Sequence, residues 1–198
     1  MTLTHDLGRQ SFGDPKNVGN TLTRDEAETL LQDWVPNPKL QFHMRQVSHL
    51  MKQWAVLREN ADENTAWKWE LAGLLHDADW EQYSDQHCAK IITELEARNV
   101  DPEILHAIAS HSPRYFGVEP VSQMDKLIYA FDELSGFVHA YSLMRGGYDG
   151  MEVKSIVKKL KDKGFAAQVS REDIADAALR ADMSVEDLIA FVIEQQLR

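Results

Sequence analysis

Apolar residues recur every three or four positions along most of this chain, the spacing that gathers them on one face of an α-helix. Thr23-x-x-Glu26 is a capping box, and Ala27, Leu30, Leu31 and Trp34 follow on one stripe until Pro36 and Pro38 interrupt it. A first helix is therefore predicted over about 24–34. From Leu40 the positions Val47, Leu50, Met51, Trp54 and Leu57 keep the same period, which predicts a long amphipathic helix near 39–59. Residues 65–76 form a third, densely apolar segment, and a fourth helix is expected over about 86–98 with Ile91, Ile92 and Leu95 inward. Asp101-Pro102-Glu103 supplies an N-cap, an N1 proline and a first-turn acid for a fifth that ends before Pro113. Met124, Leu127, Ile128, Phe131, Ser135 and Val138 share the stripe of a sixth, about 121–144, broken by Gly146-Gly147-Tyr148-Asp149-Gly150. Beyond it Val153, Ile156, Val157 and Leu160 define a helix closed by Gly164, while Ser170-x-x-Asp173 and Ser184-x-x-Asp187 open two more.

No repeat, low-complexity stretch or alternating strand pattern accompanies these helices, so the expected fold is all-α. Residues 23–145 are expected to form a helical domain, with 151–198 as a C-terminal helical appendage packed on it. Residues 1–22 have no sustained apolar period and read as a tail or lid outside the core. Trp34, Trp54, Trp67 and Trp69 read as core residues.

Composition narrows the partners. A chain of 198 residues, 43% hydrophobic, can bury a core without a disulfide or structural metal, so any metal is expected to serve chemistry. Cys88 is the single cysteine, and Met1-Thr2-Leu3-Thr4-His5 has neither a basic nor an apolar targeting region. A reducing cytoplasm is the expectation. The longest plainly apolar run, Leu188 to Ile193, is far short of the roughly twenty residues of a membrane span. The net charge of −11 opposes binding to a nucleic-acid polymer and favours a small-molecule or protein partner.

Several ionisable residues fall on apolar stripes. His43 lies between Leu40 and Val47 at helical spacing, and Asp132 lies between Ile128 and Ser135. A carboxylate directed into a core is costly unless paired or metal-bound. His87, four before Ile91, and His111, three after Ile108, also face inward, whereas His106 is expected to face solvent. His76-Asp77 ends the apolar run Leu71–Leu75, where adjacent residues can grip one ion because the helix stops there. Imidazole with carboxylate suits Fe, Mn, Zn or Ni better than Mg. His5, His49, His106 and His139 are taken as ordinary structural histidines. Lys154, Lys158 and Lys161, at i, i+4 and i+7, form a solvated basic face that is also able to rim an anion's entrance.

The order His43, His76-Asp77, Asp132 in a helical chain resembles the HD superfamily of metal-dependent phosphohydrolases over about residues 39–140. His87 and His111 fall where its binuclear branch has two extra histidines. That resemblance implies an HD-domain helical bundle in which His43, His76, Asp77 and Asp132 hold one divalent metal, Fe or Mn first. It further implies that His87 and His111 hold a second ion with Asp77 bridging, or, with one ion per chain, contact substrate. Residues 72–81, 132–136 and 154–167 look like a small group of HD hydrolases without an established substrate. The chain departs from relatives that carry lysine or glutamate three residues after the HD aspartate: Trp80 stands there, followed by Glu81. It also lacks the signature of cyclic-dinucleotide phosphodiesterases.

The implied activity is hydrolysis of a phosphoester or phosphoanhydride in a small, nucleotide-like molecule by a metal-bound hydroxide. Asp77 would bridge, Glu81 or Asp79 is the candidate proton donor, and Arg114 and Lys126 are candidate phosphate contacts. Two other readings stay open: a di-iron oxygenase of the HD type, and a non-catalytic signalling or binding module. The oligomeric state is left open.

Overall fold

The computed structural model describes residues 5–13 and 19–196. Residues 1–4 and 14–18 of the expected tail or lid, and 197–198 of the expected appendage, lie outside the described residues. Helices α1 (Arg24–Trp34), α2 (Pro38–Arg58), α3 (Glu63–Leu75), α4 (Ala89–Ala97) and α5 (Pro102–Ala109) build the first half. They are followed by α6 (Pro113–Phe116), α7 (Gln123–Arg145), α8 (Val153–Leu160), α9 (Arg171–Arg180) and α10 (Val185–Gln195). Among the described residues the one extended pairing is an isolated bridge between Asn20 and Val100, so the fold is all-α.

The helix starts follow local chemistry. Thr23 and Glu26 exchange the reciprocal bonds of a capping box, and Asn37, Asp62, Asp101, Ser122, Ser170 and Ser184 cap the helices that follow them. Two details differ from the sequence expectation. Pro113 opens the short helix α6 as well as ending the stretch before it, since a proline at N1 forfeits no helical hydrogen bond. The fourth helix begins at Ala89 rather than near 86, because Ser84–Gln86 form a 3-10 turn and Cys88 takes φ 68°. With no cap from Cys88 itself, the Asp79 carboxylate accepts the Cys88 and Ile91 N–H groups, at 3.1 and 2.8 Å.

Helices α2 and α3 make the closest packing, and Gly73 explains it. A Cβ placed there would come within 2.7 Å of the Ser48 Cα, so only glycine lets the two backbones approach this far. Helix α7 runs against α2 and α5, and α9 and α10 in turn pack on α7. Trp54 and Trp69 are buried, as expected; Trp34 and Trp67 are only partly so, and the Trp67 indole N–H donates to the Leu22 carbonyl at 2.7 Å.

The expectation that residues 1–22 stay outside the core is corrected for the described residues 5–13 and 19–22. Phe12 and Leu22 are buried, the Leu7 N–H donates to the Phe116 carbonyl at 3.0 Å, and the Phe12 ring meets His106 edge-on at 6.0 Å. These isolated apolar residues carry no period, so periodicity does not reveal them. His106 is likewise not a solvent-facing residue: its Nδ1 lies 2.9 Å from the buried Asp125 carboxylate. No helix among the described residues is long and apolar enough to cross a membrane.

Candidate metal centre

Three helices and two turns bring the ionisable residues together. His43 projects from the second turn of α2, His76 is the C-cap of α3, Asp77 begins the turn that follows, and Asp132 sits midway along α7. Four ligand atoms, one from each, lie within 4.8 Å of one another. A second group joins Asp77 to His87, just after the 3-10 turn, and His111, just beyond α5.

The distances resemble a coordination shell. His43 Nε2 lies 3.0 Å from Asp132 Oδ1 and 4.0 Å from Asp77 Oδ2, while His76 Nε2 lies 3.4 and 3.5 Å from the same two oxygens. Ligands about 2.1 Å from a shared ion are separated by about 3.0 to 3.5 Å at octahedral to tetrahedral angles. The other Asp77 oxygen, Oδ1, faces His87 Nε2 at 3.4 Å and His111 Nε2 at 3.6 Å. Each oxygen of one carboxylate therefore serves a different group.

Hydrogen bonds on the far side of the rings fix the tautomers. His76 Nδ1 donates to the Gly73 carbonyl at 2.9 Å, and His111 Nδ1 to the Ile108 carbonyl at 2.6 Å. A carbonyl only accepts, so in the neutral rings both Nε2 atoms carry the lone pair and aim it at the carboxylates. His87 Nδ1 donates to Asp79 Oδ1 at 2.6 Å, the carboxylate–histidine arrangement that orients a metal-binding ring. His76 Nε2 is fully buried and has no hydrogen-bond partner. A buried lone pair facing two carboxylates is repulsive unless positive charge lies between them, so this donor set fits a divalent cation.

The electrostatics point the same way. Complete burial opposes a charged His76 ring, yet Asp77 and Asp132 push it up to about 9. Burial also opposes the two carboxylates, but the neighbouring imidazoles hold Asp77 below, and Asp132 well below, the ordinary range. His111 is driven down to about 4 by burial and then by His76, which keeps its lone pair free. Glu133, beside Asp132, is pushed up to about 8 by burial and that neighbour's charge.

His43, Asp77, His87, His111 and Asp132 form the floor of a cavity of about 1070 Å³, which the fully buried His76 does not line. Its aromatic lining comes from Trp80, Tyr115 and Phe116; Glu133 and Gly136 of α7 and Gln168, Val169, Ser170, Glu172 and Asp173, before and at the start of α9, line it as well. Arg114 lines it too, its guanidinium donating to Glu172 at 2.7 Å and Asp173 at 2.9 Å. Residues 168–173 carry no sequence signal for a site, because their contribution depends on how a distant helix packs. Four backbone carbonyls, of Asp162, Phe165, Ala166 and Val169, accept from Arg171 and shape that loop.

The remaining candidate residues lie elsewhere. Asp79 is buried behind His87, its oxygens occupied by three N–H donors, and does not line the cavity. Glu81 accepts the Asn37 N–H at 3.1 Å and does not line it either, nor does Lys126. His139 bonds the Tyr148 hydroxyl at 2.7 Å, away from both ligand groups. Comparison of the chain with protein-family models, with curated proteins and with solved structures finds no match.

Proposed function

We propose that this protein is a metal-dependent hydrolase of a phosphoester or phosphoanhydride in a small molecule. The observation that carries the reading is the pair of His/Asp groups that share Asp77, one oxygen to each, on the floor of a cavity large enough for a small ligand. The sequence resemblance to HD phosphohydrolases supports it independently of those distances. Divalent cations held there supply Lewis acidity toward phosphoryl oxygens and make water more acidic. Fe or Mn suits the mixed imidazole and carboxylate donors, with Zn or Ni as alternatives.

The chain's own residues do the rest. His43, His76, Asp77 and Asp132 form one grip, and Asp77, His87 and His111 the other, with Asp79 holding the His87 ring in its orientation. Arg114 is poised for a phosphoryl oxygen, which competes with Glu172 and Asp173 for its guanidinium. The acids Asp77, Asp132, Glu172 and Asp173 outnumber that cation around the cavity. An anionic substrate therefore depends on bound metal to enter, which couples substrate affinity to metal content.

The test measures metal per chain by mass spectrometry in protein purified without chelator or metal-affinity tag, alongside phosphate release and oxygen uptake. The expected result is close to two equivalents and phosphate release that Asp77→Ala abolishes while the helical circular dichroism persists. No metal after reconstitution, or oxygen uptake by the iron-loaded protein without phosphate release, overturns the reading.

A further inference from the structure

The turn after α3 inverts the usual partition of side chains. Asp79, a carboxylate, is fully buried, while the next residue, Trp80, leaves its indole 50% exposed. Large aromatic groups normally gain by burial, and carboxylates lose. Asp79 is accounted for by the three donors it satisfies. Trp80 is not accounted for by any packing need of the core, since the indole lies outside it.

Its position gives the exposure a meaning. Other large apolar side chains are exposed, among them Val121, Leu143 and Leu179, yet among the described residues Trp80 alone of these lines the cavity over the ligand groups. The indole is also held in a defined orientation. It meets the His87 ring at 4.8 Å with 82° between the planes, and His87 is pinned by Asp79. Phe116 packs on His87 and His111, each at 5.2 Å, and Tyr115 stands perpendicular to Phe116 at 4.9 Å with His5 stacked near-parallel on it at 6.2 Å. Aromatic rings thus adjoin the His87/His111 group, and next to Tyr115 the Arg114 guanidinium is held by Glu172 and Asp173. A ligand whose phosphoryl group reaches the His87/His111 group has this aromatic surface beside it.

We propose that this surface is a stacking subsite, in which Trp80, supported by Tyr115, takes a planar unsaturated ring carried by the phosphorylated substrate. Stacking on a half-exposed, pre-oriented indole removes apolar surface from water without first ordering the side chain, and it tolerates any ring with a π-face. The proposal rests on the phosphohydrolase reading and names the class of molecule that site accepts.

Calorimetric titration of the Mn-loaded protein with adenosine and uridine 5′-monophosphates and with ribose 5-phosphate tests it. All three carry one phosphoryl group on the same sugar position, and only the first two carry a ring of this kind. The expected result is at least tenfold tighter binding of both nucleotides, an advantage that Trp80→Ala removes and Trp80→Phe largely keeps, with ribose 5-phosphate affinity and metal content unchanged. Because Trp80 touches His87, a second readout uses the unaltered protein loaded with diamagnetic Zn: nuclear Overhauser contacts between the base protons and an indole identified as Trp80 by its loss in Trp80→Phe. Equal affinities for the three probes, or an advantage that survives Trp80→Ala, overturns the proposal. Ring-dependent binding by a protein that fails the metal and phosphate-release test above overturns the hydrolase reading and leaves the subsite standing. Phosphate release with no ring preference does the reverse.

Discussion

The two ligand groups that meet at Asp77 are built differently. His43, His76 and Asp132 belong to α2, the end of α3 and α7, the long helices that pack around Gly73 and the central core. His87 and His111 sit in turns, after the 3-10 segment and after α5, and each depends on a partner behind it for its orientation. The first group has two carboxylates and the second only the shared one. Cation affinity grows with ligand charge and with rigidity, so the long-helix group should bind the tighter ion and the turn group the labile one.

The comparison breaks most directly by removing one ligand from each side. Asp132→Ala leaves the long-helix group with a single carboxylate, and the expected outcome is loss of the tight equivalent with phosphate release at background. His87→Ala should spare that equivalent and abolish only the weaker one, seen as one stoichiometric step instead of two in a Mn titration of the apoprotein. Loss of both ions in His87→Ala contradicts the asymmetry. A dissociation constant at least tenfold weaker for the second ion in the unaltered protein supports it.

Asp79→Asn probes the turn group from behind. The amide presents N–H where the carboxylate accepts from Cys88, Ile91 and His87, so at least one donor loses its acceptor. With the amide oxygen toward His87 and Cys88 it is Ile91 that is left without an acceptor, and the ring keeps only a neutral one; altering the carboxylate partner of a ligating imidazole weakens metal affinity by roughly 10- to 100-fold. The expected change falls on the second binding step alone. An equal loss at both steps would mean that Asp79 holds up the whole α3–α4 turn rather than one ring.

This asymmetry also explains what the sequence reveals. The long helices advertise themselves by period, so His43 and Asp132 stand out as polar interruptions of apolar stripes, and the capping residues mark the helix starts. The all-α fold follows from the same signal. In turns no period exists: Asp79 has the same residue type as a proton donor, and only its three bonds and lack of access to the cavity distinguish a positioning role. Gln168, Val169, Ser170, Glu172 and Asp173 join the cavity through packing between segments far apart in the chain, which spacing cannot encode. Phe12 and Leu22 enter the core as single residues in an aperiodic stretch, and His106 is drawn to Asp125 by a contact between α5 and α7.

That last contact gives the smallest expected effect, and one that bears on the turn group, because α5 carries His111 just beyond its end. The hydrogen bond to Asp125 raises the His106 pKa against partial burial. Burial works against the Asp125 carboxylate, but His106 and the Val121 and Ser122 N–H groups bring its pKa below the ordinary value. The His106 contribution is complete below its unfolded value of about 6.5 and is lost as pH rises through the elevated folded one. The Asp125 contribution is present above about 3.9 and is lost as pH falls through its lowered folded value. His106→Gln should therefore cost most between about pH 4 and 6.5, on the order of 1 kcal/mol, or about 2–4 °C in Tm. The cost should shrink toward alkaline pH, where the neutral ring still donates from Nδ1. Parallel thermal unfolding of the two proteins from pH 4 to 9 measures it; a cost that stays flat across that range would mean that packing of the ring against Phe12, not its charge, ties α5 in place.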